Sequence, residues 1–449
     1  MATNSYIQVP PDSTGKRLYT QQHTVNALPV QAQVMHIGSA VDPTHFQNVD
    51  SRGQAYIRFA EGSPSLDAFG NLRVGEGTIL GSYEYSHGPS ADLFQDTLAV
   101  GGLITHQPTS ASTILSSTGS NGSSSIRTTN RYHHYQPGVS NLIIQTIALS
   151  DTGKAGNRRR WGYFDSNNGL YWELEGTTFY VGIRSNVTGS IVETRVAKDS
   201  WNEDKLDGTG VSSMNLDLTK ANFYFIDYAW LGVGEVRFGV LGPNGERNIC
   251  HIFRNPNSNT DAYMASGCLP LRWENTNFGA VGSTSELKSI CSAVYSQSRI
   301  DNTFWRFSDI GRDTPVAVTT NTPIFSMKVK PGTHVGLYPE SLNVYVSAGA
   351  VKLTIVDDAV LTGATWGIIG ESLALGDIGA TSMTGGSKFF TTYVNAGVAN
   401  IDLSKVYELN DEGYHRLADD SDSYTFTLVA TTITGTPTVS ATLNYRELR

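Results

Sequence analysis

Along this chain apolar positions alternate with polar ones over short stretches, and turn residues separate each stretch from the next. From Arg131 to about Tyr295 the runs NLIIQTIAL, WGYF, GLYWEL, FYVGI, NFYFIDYAWLGVGEVRFGVL and NICHIF are punctuated by Gly, Asn, Asp and Pro, the pattern of strands separated by turns. Asn168-Gly169 and Asn244-Gly245 stand where a type I′ or similar tight turn would join antiparallel neighbours. Hairpins that follow one another predict a sandwich rather than a parallel sheet. After a polar passage at 299–313 alternation returns in SLNVYVSAG, AVKLTIVDD, SYTFTLVATT and TVSATLNYREL, with Leu342, Val344 and Val346 on one face and Lys352 and Thr354 on another. A second β domain is expected there. The halves share no repeat period, so neither solenoid nor propeller is indicated.

Two stretches lack this pattern. Residues 1–50 mix Pro10, Pro11, Pro29 and Pro43 with polar residues and cannot bury enough apolar surface to fold alone. They read as an extended arm, a loose tail or a segment that orders along another subunit, and in the second case Pro10 and Pro11 would limit the entropy lost. Val9, Pro10, Pro11, Lys16 and Arg17 are its candidate docking residues. Residues 51–130 read as a linker with first strands, and PTSASTILSSTGSNGSSS at 108–125 suits a mobile surface loop. The expected fold is all-β: an extended N-terminal arm (1–50), the linker and first strands (51–130), a central antiparallel β-sandwich of jelly-roll or lectin-like type (131–305) and a C-terminal β domain (306–449).

Composition agrees, since 449 residues with 45 Gly, 10% aromatic and only 16% charged residues lean towards a turn-rich β protein. The net charge of -9 provides no general attraction for nucleic acid or an anionic membrane. The local exception is KAGNRRR, where Lys154, Arg158, Arg159 and Arg160 read as a solvated hairpin loop that could grip an acidic neighbour or a ligand. Cys250, Cys268 and Cys291 are an odd, widely spaced set, which points away from a disulfide framework or zinc site and towards synthesis in a reducing compartment. The N-terminal stretch has no apolar signal core, and no window approaches the roughly 18 apolar residues of a membrane span.

The chemistry that could make this an enzyme is weak. In RYHHYQPG, His133 and His134 are adjacent, and adjacent strand residues point to opposite faces, so the pair cannot converge on one metal ion. The stretch reads as an aromatic strand ended by Pro137-Gly138. STGKR and DTGKAG lack the remaining residues of a phosphate loop, DSNNG lacks the glutamate of a calcium loop and reads as a hairpin turn, and no nucleophile elbow occurs. Asp165, Glu173, Glu175, Asp204, Asp207, Asp227 and Glu235 could include a glycosidase pair only if two faced each other across a groove. Trp161, Tyr171, Trp172 and Trp201 could stack on sugars or fill a core. The Asn186-Val187-Thr188 sequon has no secretion context. No catalytic, cofactor-binding or metal-binding residue is assigned, and no enzyme activity or cofactor is expected.

RYHHYQPGVSNLIIQTIALSDTGKAGNRRRWGYFDSNNGLYWELEG, SWNEDKLDGTG and FIDYAWLGVGEVRFGV, together with IQVPPDSTGKRL, GSPSLDAFGNLRV and ATLNYREL, resemble virion structural proteins of tailed bacteriophages. The resemblance covers most of the chain. It implies a multi-copy, non-enzymatic virion part, made in the host cytoplasm, on the tail, neck, baseplate or fibre, whose partners are other copies of itself and neighbouring virion proteins. The alternative is a receptor- or polysaccharide-binding module on the particle, with a host surface glycan as partner.

Overall fold

A computed structural model describes residues 4–8, 17–25, 28–33, 68, 77–90, 93–297, 305–404 and 423–448. The chain divides into two compact units, Met1–Glu61 and Gly62–Arg449. In the first, β1 (Asn4–Gln8), β2 (Arg17–Val25) and β3 (Leu28–Gln33) form a three-stranded antiparallel sheet in that order. The segment read as an extended arm is therefore locally paired, with Thr, Tyr and Val supplying strand propensity. Arg17 opens β2 opposite Gln8. Val9, Pro10, Pro11 and Lys16 lie outside the described residues.

The second unit is all-β and antiparallel. Its first part comprises β4 (Thr78–Glu84), β5 (Phe94–Ala99), β6 (Leu103–Gln107), β7 (Ser112–Ser117), β8 (Ser124–Thr129), β9 (Asn141–Leu149), β10 (Lys154–Phe164), β11 (Gly169–Gly176) and β12 (Thr178–Ser185). It continues through β13 (Val192–Ala197), β14 (Asn222–Tyr228), β15 (Val236–Leu241), β16 (Arg247–Phe253), β17 (Leu271–Asn277) and β18 (Ser285–Ser296). These strands make a sandwich: a seven-stranded sheet β13-β12-β11-β10-β17-β8-β5 and an eight-stranded sheet β16-β15-β14-β9-β18-β7-β6 with β4 also on β18. Alternation sorts the side chains. On β10 and β11, Trp161, Tyr163, Leu170, Trp172 and Leu174 join the core, while Arg160 and Glu173 take the other face. Trp172 stacks on Phe179 at 5.5 Å and meets Phe238 edge-on at 5.3 Å, contacts worth about 0.5–1.5 kcal/mol each beyond burial.

Three local expectations change. The Ser-rich stretch at 108–125 is not a loop throughout: it supplies β7 and the start of β8, with Leu115, Ser117, Ser123 and Ser125 buried. At Ser117 the asparagines opposite meet the buried polar groups: Ser117 donates to Asn275 Oδ1, and Asn275 Nδ2 donates to the Leu115 carbonyl. The sandwich thus begins before residue 131, at β4. RYHHYQPG forms a single bridge, His133 with Leu269, rather than a strand. The β10–β11 turn is the four-residue loop Asp165–Asn168 between the paired Phe164 and Gly169, so it is not a two-residue turn on Asn168-Gly169. Asp165 Oδ1 accepts from the Asn167 and Asn168 amides and holds the loop.

The second part comprises β19 (Trp305–Ala317), β20 (Thr322–Val329), β21 (Gly336–Asp357), β22 (Val360–Thr362), β23 (Gly367–Ile368), β24 (Ala374–Asp377), β25 (Ser382–Thr384), β26 (Ser387–Asp402), β27 (Thr425–Thr434) and β28 (Thr438–Leu448). The sheet order is β19-β28-β21-β27-β20-β24-β23, with β26 along β21 and a separate ribbon β22-β25. The 22-residue β21 pairs first with β28 and then with β27, shifting register between Val346 and Ala350. Gly349 sits in that shift at φ +67, where an added Cβ would lie 1.9 Å from the Thr434 carbonyl oxygen; only glycine fits. Leu342, Val344, Val346, Leu353 and Ile355 face one core, as the alternation predicts.

Candidate functional site

KAGNRRR does not form a solvated loop. It is the first half of β10, and its charges are placed by strand register. Arg159 faces inward, fully buried, and is bonded to Asp151. Arg160, 1% exposed, faces the opposite side and bonds Glu173 and both oxygens of Glu193, the latter at 3.0 and 2.8 Å. Half-buried Arg158 lies opposite Glu175, 3.9 Å away. Lys154 Nζ donates to Ser283 Oγ at 3.0 Å and lies 3.3 Å from Asp151. Cross-strand pairing of opposite charges stabilises a sheet face, and here it consumes the residues that composition offered as a gripping loop.

The network spreads across the seven-stranded sheet. Arg195 donates to Glu173 at 2.7 Å and to Glu175 at 3.1 Å, Arg184 to Glu193 at 3.0 Å, and Arg272 to Glu274 at 2.7 Å. The Arg160 guanidinium lies 4.6 Å from the Tyr171 ring centroid, a cation–π contact. Burial opposes ionisation of Glu193, but Arg160 and Arg184 outweigh it and hold the carboxyl below its usual range. Glu274 is held down by Arg272, Arg184 and Arg160 against the same burial.

The carboxylates considered for sugar chemistry have structural partners. Asp165 caps its loop, as described. Asp204 accepts from the Leu206 and Ser212 amides, and Asp207 from Thr209. Glu235 pairs with Arg237 at 2.8 Å, and Asp227 lies 3.9 Å from the same arginine. Trp161, Tyr171, Trp172 and Trp201 are buried, so none offers a ring face to a sugar. The histidine pair diverges as expected. His133 Nδ1 is 3.1 Å from the Leu269 carbonyl, which can only accept, so Nδ1 carries the proton and Nε2 accepts from Tyr83 Oη at 2.9 Å. His134 lines a different space with Tyr132, Cys268 and His334.

An open polar surface lies elsewhere. At the end of the sandwich where β9 meets β10 and β11 meets β12, a cleft of roughly 510 Å³ is lined by Thr152, Thr178, Lys198, Asp199, Asn215 and Asp217, among others. Phe179, Leu216 and Leu218 give it an apolar side. The Asp217 carboxylate accepts from the Thr219 amide at 2.9 Å and hydroxyl at 2.7 Å, and these bonds hold its carboxyl below the usual range. Among the described residues, the side chains of Thr152, Thr178, Lys198, Asp199 and Asn215 make no hydrogen bond or ion pair. The cleft therefore presents hydroxyls, an amide, a carboxylate and an ammonium to solvent. Sequence reasoning missed these residues because they come from four separate stretches of the chain with no motif spacing; the one trace was polar chemistry in LDLTK at 216–220.

No family model and no curated sequence matches the chain. Solved structures do. One described as concerning endo-acting O-glycanases of the human gut microbiota is 13% identical, covers 49% of this chain and 99% of that chain, and has a TM-score of 0.35. A glycoside hydrolase family 16 endo-glucanase from Bacteroides ovatus is 10% identical over 48% of this chain and 100% of that chain, with a TM-score of 0.33. A lectin from Bauhinia forficata, in complex with GalNAc, is 12% identical over 48% and 97%, with a TM-score of 0.30.

Proposed function

We propose that this chain is a carbohydrate-binding module, displayed on a bacteriophage particle, that holds a host surface glycan in the cleft at the end of its sandwich. The observation that carries the reading is the cleft itself. Apart from Asp217, which accepts from Thr219, the side chains of Thr152, Thr178, Lys198, Asp199 and Asn215 are uncommitted within the described protein, and a polyhydroxylated ligand needs several such groups converging on a concave surface. The carboxylates on the seven-stranded sheet support binding rather than hydrolysis, because Glu173 and Glu193 are each bonded to arginines and a general acid needs a proton it can release. Glycan-array screening of the full chain should reveal saturable binding. Asn215→Ala combined with Thr178→Ala should weaken it tenfold or more with an unchanged melting temperature. Absence of saturable binding to any glycan would overturn the reading.

A second reading, a mechanical part built from several copies, has its own observation. Strand β26 is 16 residues long and, among the described residues, pairs only with β21. Phe389–Ile401 contains no charge and no proline, whereas monomeric proteins normally protect long edges with one or the other. The resemblance to virion structural proteins favours the same reading. Light scattering of the full chain should then show a discrete oligomer that Val398→Lys dissociates; a monomer at all concentrations would sink it.

A further inference from the structure

The C-terminal domain has a second concave feature. Between β21, β26, β27 and the β22-β25 ribbon lies a pocket of roughly 110 Å³, lined by Asn321, Lys352, Thr354, Met383, Lys388 and Val429 among others. Strand register builds it: Lys352 stands opposite Tyr393 and Thr431, Thr354 opposite Thr391 and Val429, and Val356 opposite Lys388. All of these residues occupy the sheet face away from the core that Leu353 and Ile355 join.

Two ammonium groups line this small space, and among the described residues neither Lys352 nor Lys388 has a hydrogen bond or ion pair. The nearby Asp358 accepts from the Thr425 amide. Asn321 Oδ1 accepts from Thr431 Oγ1, which in turn accepts from the Asn321 amide, leaving the Nδ2 hydrogens as the donors of that side chain without a bond in the described protein. The pocket thus brings together two cations, an amide donor and a threonine hydroxyl over an apolar base of Val356, Val429 and Met383. Like charges lining one partly enclosed space repel, and a bound anion converts that repulsion into attraction. A volume of this size admits one carboxylate or sulfate group but not a whole sugar ring. The ring has a place beside it, because Tyr393, 71% exposed, is the direct cross-strand neighbour of Lys352 and offers a face for stacking.

We propose that this pocket binds the anionic group of an acidic saccharide, with Lys352 and Lys388 on the carboxylate or sulfate, Asn321 and Thr354 as hydrogen-bond partners and Tyr393 against the ring. The inference is independent of the cleft at the sandwich end: Asn215→Ala should leave it unchanged, so failure of one does not imply failure of the other. The test follows the melting temperature of the full chain against sodium glucuronate, sodium sulfate and neutral glucose at constant ionic strength, since a ligand that binds the fold raises it with concentration. Glucuronate should raise it more than sulfate, and glucose should not. The double variant Lys352→Ala with Lys388→Ala should keep the unliganded melting temperature and lose at least tenfold in apparent glucuronate affinity, while Tyr393→Ala should abolish the preference for glucuronate over sulfate. An equal response of wild type and double variant overturns the site. Equal responses to sulfate and glucuronate, unaffected by Tyr393→Ala, assign it to free anions and overturn the saccharide.

Discussion

The outer face of the seven-stranded sheet and the exposed strand β26 solve opposite problems. On the sheet, arginines and glutamates are held against one another, and Arg160 and Glu173 are almost wholly out of water. On β26, Tyr393 and Val398 are 71% and 81% exposed, and the stretch between Lys388 and Asp402 has no charge at all. A buried ion pair costs desolvation that its own attraction only partly returns, so the sheet face is rigid and specific but has little charge left for a partner. Among the described residues the uncharged strand pairs along one side only, with β21, which is how an edge strand is arranged. Charge density alone is therefore a poor guide to where this protein can bind, because the densest cluster of charges is satisfied internally.

This contrast is broken most directly at Glu173. Glu173→Ala leaves Arg160 buried with one carboxylate fewer and should destabilise the sandwich by about 3–5 kcal/mol, read from urea denaturation of the full chain. A loss under about 1 kcal/mol would mean that the network is loosely solvated. Gly169→Val should have the next largest effect, about 1–3 kcal/mol, because Gly169 has φ +145 and an added Cβ would meet Phe164 Cβ at 2.0 Å. An unchanged melt would refute the turn geometry.

Acidification should weaken the sandwich as a whole. Burial holds His134 and His251 down at about 4, so between pH 6.5 and 4 the unfolded chain takes up protons that the fold refuses, and stability falls as pH falls. For His251 the nearby Arg254 adds to this. Asp151, Glu193 and Glu274 are held low by arginines despite burial. Their contribution is present above their unfolded pKa, near about 4, and is lost as pH falls through the folded values. Urea midpoints should therefore decline below pH 6.5 and more steeply below about pH 4, and a midpoint independent of pH from 7 to 4 would contradict this. The smallest effect is expected on β26, where Val398→Lys should change stability by under about 0.5 kcal/mol; a larger loss would show that the strand is covered.

Much of the fold was legible because it rests on local alternation. Leu342, Val344 and Val346 line one core as their spacing predicts, and Asn244-Gly245 does turn β15 into β16, with Gly245 at φ +85. The divergence of His133 and His134 followed from their adjacency. The Ser-rich stretch does not read as strand because its polarity is matched by Asn275 and Asn277, more than a hundred residues distant in sequence. The arginines of KAGNRRR read as solvated for a different reason: Glu173 and Glu193 become partners of Arg160 only when strands pair, and Asp151 reaches Arg159 only when the β9–β10 connection folds back on β10.

The sequence by itself determined that this is an all-β, antiparallel protein, because the period of two and the turn residues act between near neighbours. It also determined which strand faces are apolar. Only the tertiary structure decided which charges are spent and which remain available. Whether Arg160 or Lys352 faces a carboxylate depends on the register of strands joined by no local rule, and both residues look alike in a list of cations. The cleft around Asn215 and the pocket around Lys352 exist for that reason: separate turns and strands bring their polar groups together, and no spacing along the chain records it.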